Sequence, residues 1–211
     1  MTTLIKLLDD IQHCTLCAGH LSHPPRPVVR ASARARLLLI GQAPGRKVHE
    51  TGIPWNDPSG KRLRSWLQMS DDEFYNVENI AIIPMGFCYP GTGKSGDLPP
   101  RPECAAKWHD ALHQQLPDIQ LTLLIGQYAQ RAYLPADYQK RYKTLTERVR
   151  HQHELPDSLC VLPHPSPRNQ LWLKRNPWFE EETLPLLHKR LQYKRLQHKR
   201  FQSSRIESRD D

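Results

Sequence analysis

The sequence lacks any long hydrophobic run. No apolar stretch approaches the roughly 18 residues that a membrane-spanning helix requires, and the mean hydropathy is −0.68. The first segment, MTTLIKLLDDIQHC, has acidic residues where a secretory signal peptide needs an apolar core. Internal repeats are absent as well. We therefore expect a cytoplasmic protein with no membrane-bound part.

The sequence also has fewer acidic than basic residues. The chain of 211 residues has 22 Asp and Glu against 30 Lys and Arg, a net charge of +8. Such an excess favours a polyanionic partner such as nucleic acid, and a merely solubilising surface is the alternative.

Residues 188–211 carry eight Lys and Arg against three Asp and Glu, in a helical pattern. We predict a monomer with one domain over residues 1–187 and a basic helical tail over 188–211. This tail is expected to project from the domain, where it either binds phosphates non-specifically or is simply solvated.

Short apolar runs alternate with helical patterns along the domain. A helical stripe in LIKLLDDI predicts a short first helix, and four later runs have the continuous apolar character of strands buried on both faces of a parallel sheet. The predicted strands are ARLLLIG, NIAIIPM, IQLTLLIG and SLCVLP, and the predicted helices between them cover 61–69, 103–116 and 126–134. This alternation predicts the α/β class: a three-layer α/β/α fold with a central, mostly parallel four-stranded sheet.

Three loops are candidates for function. Residues 41–60, GQAPGRKVHETGIPWNDPSG, follow the first predicted strand, and residues 164–169, HPSPRN, follow the fourth. In open α/β sheets ligands bind outside the carboxyl ends of the strands, which is where both loops begin. The third loop, 86–102, is longer than ordinary connections. Its PGTGKSGD sequence fails the spacing of a phosphate-binding P-loop, so we do not expect a nucleoside triphosphate site.

The five cysteines are unevenly distributed. Cys14 and Cys17 form a CxxC pair, Cys88 and Cys104 stand 16 positions apart across the third loop, and Cys160 lies in a strand pattern. Disulfides are rare in cytosolic proteins, so paired spacing favours a zinc or iron–sulfur site, with reduced structural thiols as the alternative. Spacing does not choose between the two metals. We interpret Cys160 as a small core residue.

The GQAPG turn after the first strand, paired with the late HPSP turn, resembles the uracil-DNA glycosylase superfamily over roughly residues 12 to 180. These enzymes hydrolyse the bond between a damaged base and deoxyribose. The resemblance implies that Trp55 stacks on a flipped-out base, with a core tryptophan as the alternative, and that the second turn supplies His164. A positioned imidazole is able to hydrogen-bond the base oxygen as negative charge develops there, and binding a phosphate or capping a helix is the alternative for His164. The resemblance also implies that the first motif holds the sugar and a hydrolytic water through Gly41, Gln42, Ala43, Pro44 and Gly45. The HPSPRN turn would hold a flanking phosphate through Pro165, Ser166, Arg168 and Asn169.

The cysteine spacing is similar to that of the iron–sulfur, thermostable-type branch of the same superfamily. That branch has an amino-terminal CxxC and a later pair of cysteines that ligate a [4Fe–4S] cluster. The resemblance implies the same cofactor here, held by Cys14, Cys17, Cys88 and Cys104. A cluster in this position would clamp the amino-terminal segment and the third loop onto the domain, so its binding energy would stabilise the fold.

Two positions depart from the family pattern. Relatives usually have Asp or Glu within the first motif, where this chain has Gln42 and Ala43. Of the carboxylates nearby, Asp57 is our first choice to activate water, with a turn-capping role as the alternative. Glu50 is the other carboxylate, and His49 is a further base. Uracil glycosylases commonly read the base with an asparagine at the position of Pro84. Proline has no amide, so uracil specificity is not implied, and Asn56 and Asn169 are the substitutes considered.

The leading hypothesis is a DNA glycosylase that hydrolyses the N-glycosidic bond of a flipped-out damaged base, uracil or another deaminated base, in base excision repair. A noncatalytic nucleic-acid-binding member of the superfamily is the first alternative, because the motif carboxylate and the asparagine are missing. A hydrolase of small nucleosides or nucleotides is the second, because the pocket is altered.

Overall fold

The computed structural model describes residues 3–94 and 96–192. The strands are β1 (Leu37–Ile40), β2 (Ile80–Ile82), β3 (Thr92–Gly93), β4 (Gly96–Asp97), β5 (Leu121–Ile125) and β6 (Leu159–Leu162). The helices are α1 (Leu4–Gln12), α2 (Arg46–Thr51), α3 (Pro58–Leu67), α4 (Asp71–Tyr75), α5 (Pro102–Gln114), α6 (Gln127–Tyr133), α7 (Ala136–Arg141), α8 (Leu145–Arg150), α9 (Gln170–Arg175) and α10 (184–192). Within these described ranges, no helix combines the length and the apolar character needed to span a membrane.

Four strands form the central sheet in the order β2-β1-β5-β6, and all of its pairings are parallel. Leu39 of β1, for example, lies between Ile82 of β2 and Leu123 of β5. Residues of β1 and β2 are buried throughout, as expected of strands covered on both faces. The predicted three-layer α/β/α fold is confirmed. From β1 the chain continues first to β2 on one side and later to β5 on the other side. The crevice between the carboxyl ends of β1 and β5 is therefore the switch point at which such folds bind ligands.

Local signals explain where the helices beside this edge begin. Helix α3 starts at Pro58, three residues before the predicted start, because Asp57 accepts a hydrogen bond from the Gly60 amide and proline is favourable in a first turn. Residues Arg46–Thr51, to which the sequence analysis gave no structure, form α2, which ends at Gly52 in the left-handed conformation. The third loop contains the antiparallel hairpin β3–β4.

The predicted boundary at residue 188 falls inside α10, which packs on the domain. Leu187 and Leu191 are buried in the core, and the His188 ring donates a hydrogen bond of 2.7 Å from Nε2 to the Trp66 carbonyl. Arg190 reaches Asp157 at 3.2 Å. The prediction that the tail projects from the domain is therefore wrong for residues 188–192, because their apolar face is needed to cover the core. The remainder of the tail, 193–211, lies outside the described residues.

Candidate active site

A cavity of about 420 Å³ opens at the carboxyl edge of the sheet. The loops that follow β1 and β6 form two of its walls, and the β3–β4 hairpin contributes a third. Its lining residues are Val28, Gly41, Gln42, Ala43, Pro44, Gly45, Val48, Pro54, Trp55, Asp57, Ser59, Ile82, Pro84, Gly96, Asp97, His164, Ser166, Arg168 and Asn169. Residues separated by more than a hundred positions thus meet in one pocket, because the parallel strands end at the same edge.

The structure brings most of the predicted site residues into this cavity. The whole GQAPG turn lines it, together with Trp55, Asp57 and four residues of the HPSPRN turn, including His164. Asn56, Pro165 and Glu50 are absent from the lining. Glu50 is exposed on α2, where its carbonyl accepts a hydrogen bond from Arg26. His49 also lies outside the cavity, in ring contact with His23 and Tyr89.

Trp55 is held in an unusual backbone conformation. Its φ of 57° lies in the left-handed region, which is rare for a bulky residue and is often found at functional sites. The Trp55 carbonyl accepts a hydrogen bond of 3.2 Å from Arg64. The indole lies against the backbone of Gly41, and its ring centroid is 5.7 Å from that of His164. The loop therefore fixes Trp55 as one wall of the pocket beside the histidine.

Gly60 is required for this arrangement. A Cβ at Gly60 would lie 1.7 Å from the Trp55 carbonyl oxygen, a backbone atom that has no room to move away. We expect Gly60→Ala to displace Trp55, with a loss of stability in the range of 1–3 kcal/mol, roughly that of overpacking. Thermal unfolding measures the effect. Gly19→Ala is the control, because a Cβ there meets no atom within 4 Å and should leave the midpoint nearly unchanged.

The two carboxylate oxygens of Asp57 lie against different parts of the site. Its Oδ1 accepts the Gly60 amide at 2.7 Å, which caps α3. Its Oδ2 lies 4.0 Å from where a Cβ of Gly45 would stand, at the end of the GQAPG turn. One carboxylate oxygen is thus committed to structure, while the other faces the motif predicted to hold sugar and water.

His164 follows β6 and is kept in place from two sides. The Asn169 side chain donates a hydrogen bond of 2.7 Å to the His164 carbonyl, which closes the HPSPRN turn. Beneath the ring is Gly126, whose φ of 82° and missing Cβ let the end of β5 approach the imidazole. Burial lowers the pKa of His164, and the charge of Asp57 opposes that effect. The imidazole is therefore neutral at neutral pH and can still donate one hydrogen bond.

Arg62 is a positioning residue that the sequence analysis missed. Its guanidinium donates to the Ser166 carbonyl at 3.0 Å and to Oε1 of Gln170 at 2.8 Å. Because Arg62 is on α3, these bonds tie the helix that follows the first loop to the turn that follows β6. A pattern of charges on a helix gives no sign of a partner 104 residues away.

The β3–β4 hairpin also contributes to the pocket, through Asp97. Its Oδ2 lies 3.4 Å from the position that a Gly45 Cβ would occupy. Arg168 of the HPSPRN turn lies directly against Gly96: a Cβ there would be 2.0 Å from Nη1 of the arginine. Since Gly96 has a φ of 133°, only glycine suits this turn. The hairpin and the HPSPRN turn therefore meet across the mouth of the pocket.

Pro84 occupies the predicted base-reading position in the wall of the pocket. Its carbonyl accepts a hydrogen bond of 3.1 Å from Nε2 of His109, which is buried behind it. The other ring nitrogen of His109 is therefore an acceptor, and the Tyr133 hydroxyl donates to it while accepting from Nε2 of His113. Met85, Gly86 and Phe87, which follow Pro84 in the chain, do not line this cavity, whereas the apolar side chains of Ile82 and Val28 do.

This buried network predicts a dependence of stability on pH. Burial lowers the pKa of His109 from 6.5 to about 4, so between these values the unfolded chain binds a proton that the folded protein does not. Stability should fall as pH falls through this window, by at most about 1.4 kcal/mol per pH unit for this residue. Urea unfolding at several pH values measures the slope. His109→Gln keeps a donor for the Pro84 carbonyl but does not titrate, so its slope should be smaller; equal slopes contradict the prediction.

Four cysteines meet at a second, smaller pocket. Cys14 and Cys17 follow α1, Cys88 lies in the third loop, and Cys104 is in the first turn of α5, where its sulfur accepts the Phe87 amide at 3.3 Å. The space between them is about 20 Å³, room for roughly one water molecule. Among the described residues, no three His, Cys, Asp or Glu side chains are arranged to hold a single metal ion. Cys160 is buried on β6, away from this pocket, and donates to Oε1 of Gln152, as a core residue would.

The fold and the pocket define an α/β protein with a ligand site at the topological switch point, built from a glycine-rich turn and a histidine turn. The model of the uracil DNA glycosylase superfamily matches residues 29–188, which is more than half of the chain. The protein therefore belongs to the uracil DNA glycosylase superfamily, as the two motifs indicated. The match begins after Cys14 and Cys17, so it does not include this pair of cysteines.

Proposed function

We propose that this protein is a DNA glycosylase that flips a damaged base out of DNA and hydrolyses its N-glycosidic bond. The observation that carries the proposal is the convergence of Trp55, Asp57 and His164 in one cavity with the GQAPG turn. Extruding a nucleotide costs a few kcal/mol. Stacking on an aromatic ring contributes about 1–3 kcal/mol per base, so Trp55 is able to offset much of that cost.

Breaking the glycosidic bond places positive charge on the sugar and negative charge on the departing base. A neutral His164 can donate a hydrogen bond to a base oxygen, and this bond strengthens as negative charge develops there. The constraints on the histidine from Asn169 and Gly126 support this role, since a preorganised donor needs little rearrangement during the reaction.

Water activation is assigned to Asp57. Gln42 lines the pocket and is able to orient a water molecule, but an amide cannot accept its proton. The free oxygen of Asp57 faces the same turn and can accept it. Glu50, the other acidic candidate, is exposed outside the cavity and is not part of the proposed mechanism.

The pocket mouth has features suited to the DNA backbone. Ser166 and Arg168 lie at its edge, and the chain carries a net charge of +8. Phosphate contacts of this kind position the nucleic acid without reading its sequence. We expect affinity for DNA to fall with rising salt concentration, as it does when counterions are released. We also propose that the protein acts as a monomer.

The direct test uses oligonucleotides that each carry one altered base: uracil, hypoxanthine, xanthine or hydroxymethyluracil. After incubation with the purified protein, alkali cleaves any abasic sites, and the fragments are separated on a denaturing gel. Strand cleavage at the altered base in at least one substrate is the expected result. Binding without cleavage of any of them would replace the proposal with the noncatalytic alternative.

We also propose that Cys14, Cys17, Cys88 and Cys104 hold a [4Fe–4S] cluster. Four thiols lining one pocket are the donor set for such a cluster. Trp108 also lines this pocket, and its indole N–H is buried without a partner in the described part of the chain. A cluster sulfide would give it an acceptor. The cluster would fasten the segment after α1 to the third loop and α5, and hydrolysis requires no electron transfer from it.

Cysteine substitutions test the cofactor separately from activity. Anaerobically purified protein should be brown, with about four iron and four sulfide per chain. Cys88→Ala should lose the iron and unfold at a lower temperature, because cluster binding contributes to folding. Cys160→Ala is the control, since it removes a buried thiol of the same kind outside the cysteine pocket and should retain the iron. Colourless protein with zinc or no metal contradicts the proposal.

A further inference from the structure

Among the residues that the structure describes, two carboxyl groups line the pocket, and the proposed function uses only one. Asp57 and Asp97 come from different loops, yet each has an oxygen within about 4 Å of the space beside Gly45, at 4.0 Å and 3.4 Å respectively. Both line the cavity that contains His164. Carboxyl pairs that flank a reacting bond are typical of enzymes that hydrolyse glycosides, where one acts as a base and the other as an acid.

The two carboxyl groups have different surroundings. Asp57 accepts the Gly60 amide with Oδ1, and its Oδ2 lies toward Gly45. Asp97 is exposed as a residue, but the partial burial of its carboxyl group raises the pKa, and the negative charge of Asp57 adds to the effect. Arg168, the Tyr89 hydroxyl and Arg46 act in the opposite direction. A carboxyl group whose pKa is raised is suited to act as the acid of such a pair.

Asp97 is also held where a substrate would cover it. The residue is exposed at the pocket mouth, and its strand pairs with Thr92 across the hairpin. Tyr89, which is almost fully buried, hydrogen-bonds Asp97 and also contacts the Thr92 hydroxyl. A base and sugar in the cavity would remove water from Asp97, and desolvation favours the protonated carboxyl group.

We propose that Asp97 is a second catalytic residue, a general acid that protonates the departing base, and that the substrate base is a deaminated purine. This inference rests on the proposed glycosylase function. As the bond between C1′ and N9 breaks, its electron pair moves to the base, and the Asp97 proton is transferred to N7. Water adds its oxygen to C1′ and gives a proton to Asp57. The products are the neutral base and an abasic sugar, and exchange with solvent restores both carboxyl groups.

The choice of a purine follows from the chemistry of the leaving group and from the pocket wall. Hypoxanthine and xanthine have an N7 lone pair that can accept a proton, whereas uracil has no free ring nitrogen and must leave as an anion stabilised at its oxygens. The wall also lacks an amide side chain at Pro84, whose carbonyl is already bonded to His109. A purine therefore makes use of Asp97, while nothing at Pro84 selects a pyrimidine.

The test compares three oligonucleotides, containing hypoxanthine, 7-deazahypoxanthine or uracil, under single-turnover conditions. The wild-type protein should release hypoxanthine and should release the 7-deaza analogue at least about 100-fold more slowly, since general acid catalysis contributes about 10²–10⁴-fold. Asp97→Asn keeps the size of the side chain and should lower hypoxanthine release by a similar factor. Asp118→Asn, an exposed substitution outside the pocket, should not.

Each contrary outcome has a distinct meaning. Release of uracil but not of hypoxanthine or xanthine overturns this inference and leaves the glycosylase function intact. Equal rates for hypoxanthine and its 7-deaza analogue, or an unchanged rate for Asp97→Asn, overturn the role of Asp97. Release of no base from any substrate overturns both proposals. The 7-deaza comparison needs only the wild-type protein, so the result does not depend on how the variant folds.

Discussion

Replacing Asp57 with asparagine is expected to reduce base release by about 10²–10⁴-fold, the usual contribution of a general base. The variant should still fold and bind DNA. Asparagine is as good a helix cap as aspartate, so the bond to the Gly60 amide and the start of α3 are retained. Only the oxygen facing Gly45 is changed, to an amide nitrogen that cannot accept a proton. Single-turnover rates and fluorescence anisotropy measure the two quantities separately.

Glu50→Gln is the matched control for Asp57→Asn. It removes the same charge from the same loop region, but Glu50 is exposed on α2 outside the cavity. Its rate should equal that of the wild-type protein. If Asp57→Asn retains the full rate while Glu50→Gln loses it, the water-activating group has been assigned to the wrong carboxylate.

Replacing His164 with alanine should reduce the rate of base release by about 10²–10³-fold, the cost of removing one preorganised donor to a developing anion. The effect should appear in the chemical step, with little change in affinity for DNA, because the hydrogen bond strengthens only as the bond breaks. The turn itself should survive the substitution. Asn169 donates to the backbone carbonyl of His164, which alanine also provides.

Two comparisons make the His164 result interpretable. His153→Ala removes an exposed histidine from outside the pocket and should leave the rate unchanged. The double variant with Asp57→Asn should lose less than the product of the two single losses if both groups act in one transition state. A His164→Ala variant with a normal rate and weakened DNA binding would instead place the histidine at a phosphate.

Local patterns in the sequence predicted the strands well, because continuous apolar runs such as LLLI in β1 have few alternatives to burial in a parallel sheet. The helix boundaries were less certain. Asp57 was considered both as a turn-capping residue and as a catalytic base, and it lines the pocket while it caps α3. The last turn of α10, which contains Leu191, was interpreted as part of a projecting tail, because its charges are visible in sequence and its contacts with Trp66 and Leu159 are not.

The sequence by itself determined the superfamily, the α/β class and the two loops that form the pocket, because turns and buried strands depend on residues close together in the chain. Only the tertiary structure distinguished Asp57, which lines the pocket, from Glu50, which is exposed outside it, since exposure depends on which neighbours cover a side chain. It also introduced Arg62, Gly126 and Asp97, whose partners are distant in sequence. The four cysteines were recognised by spacing, and their meeting at one pocket depends on the packing of α1 against α5.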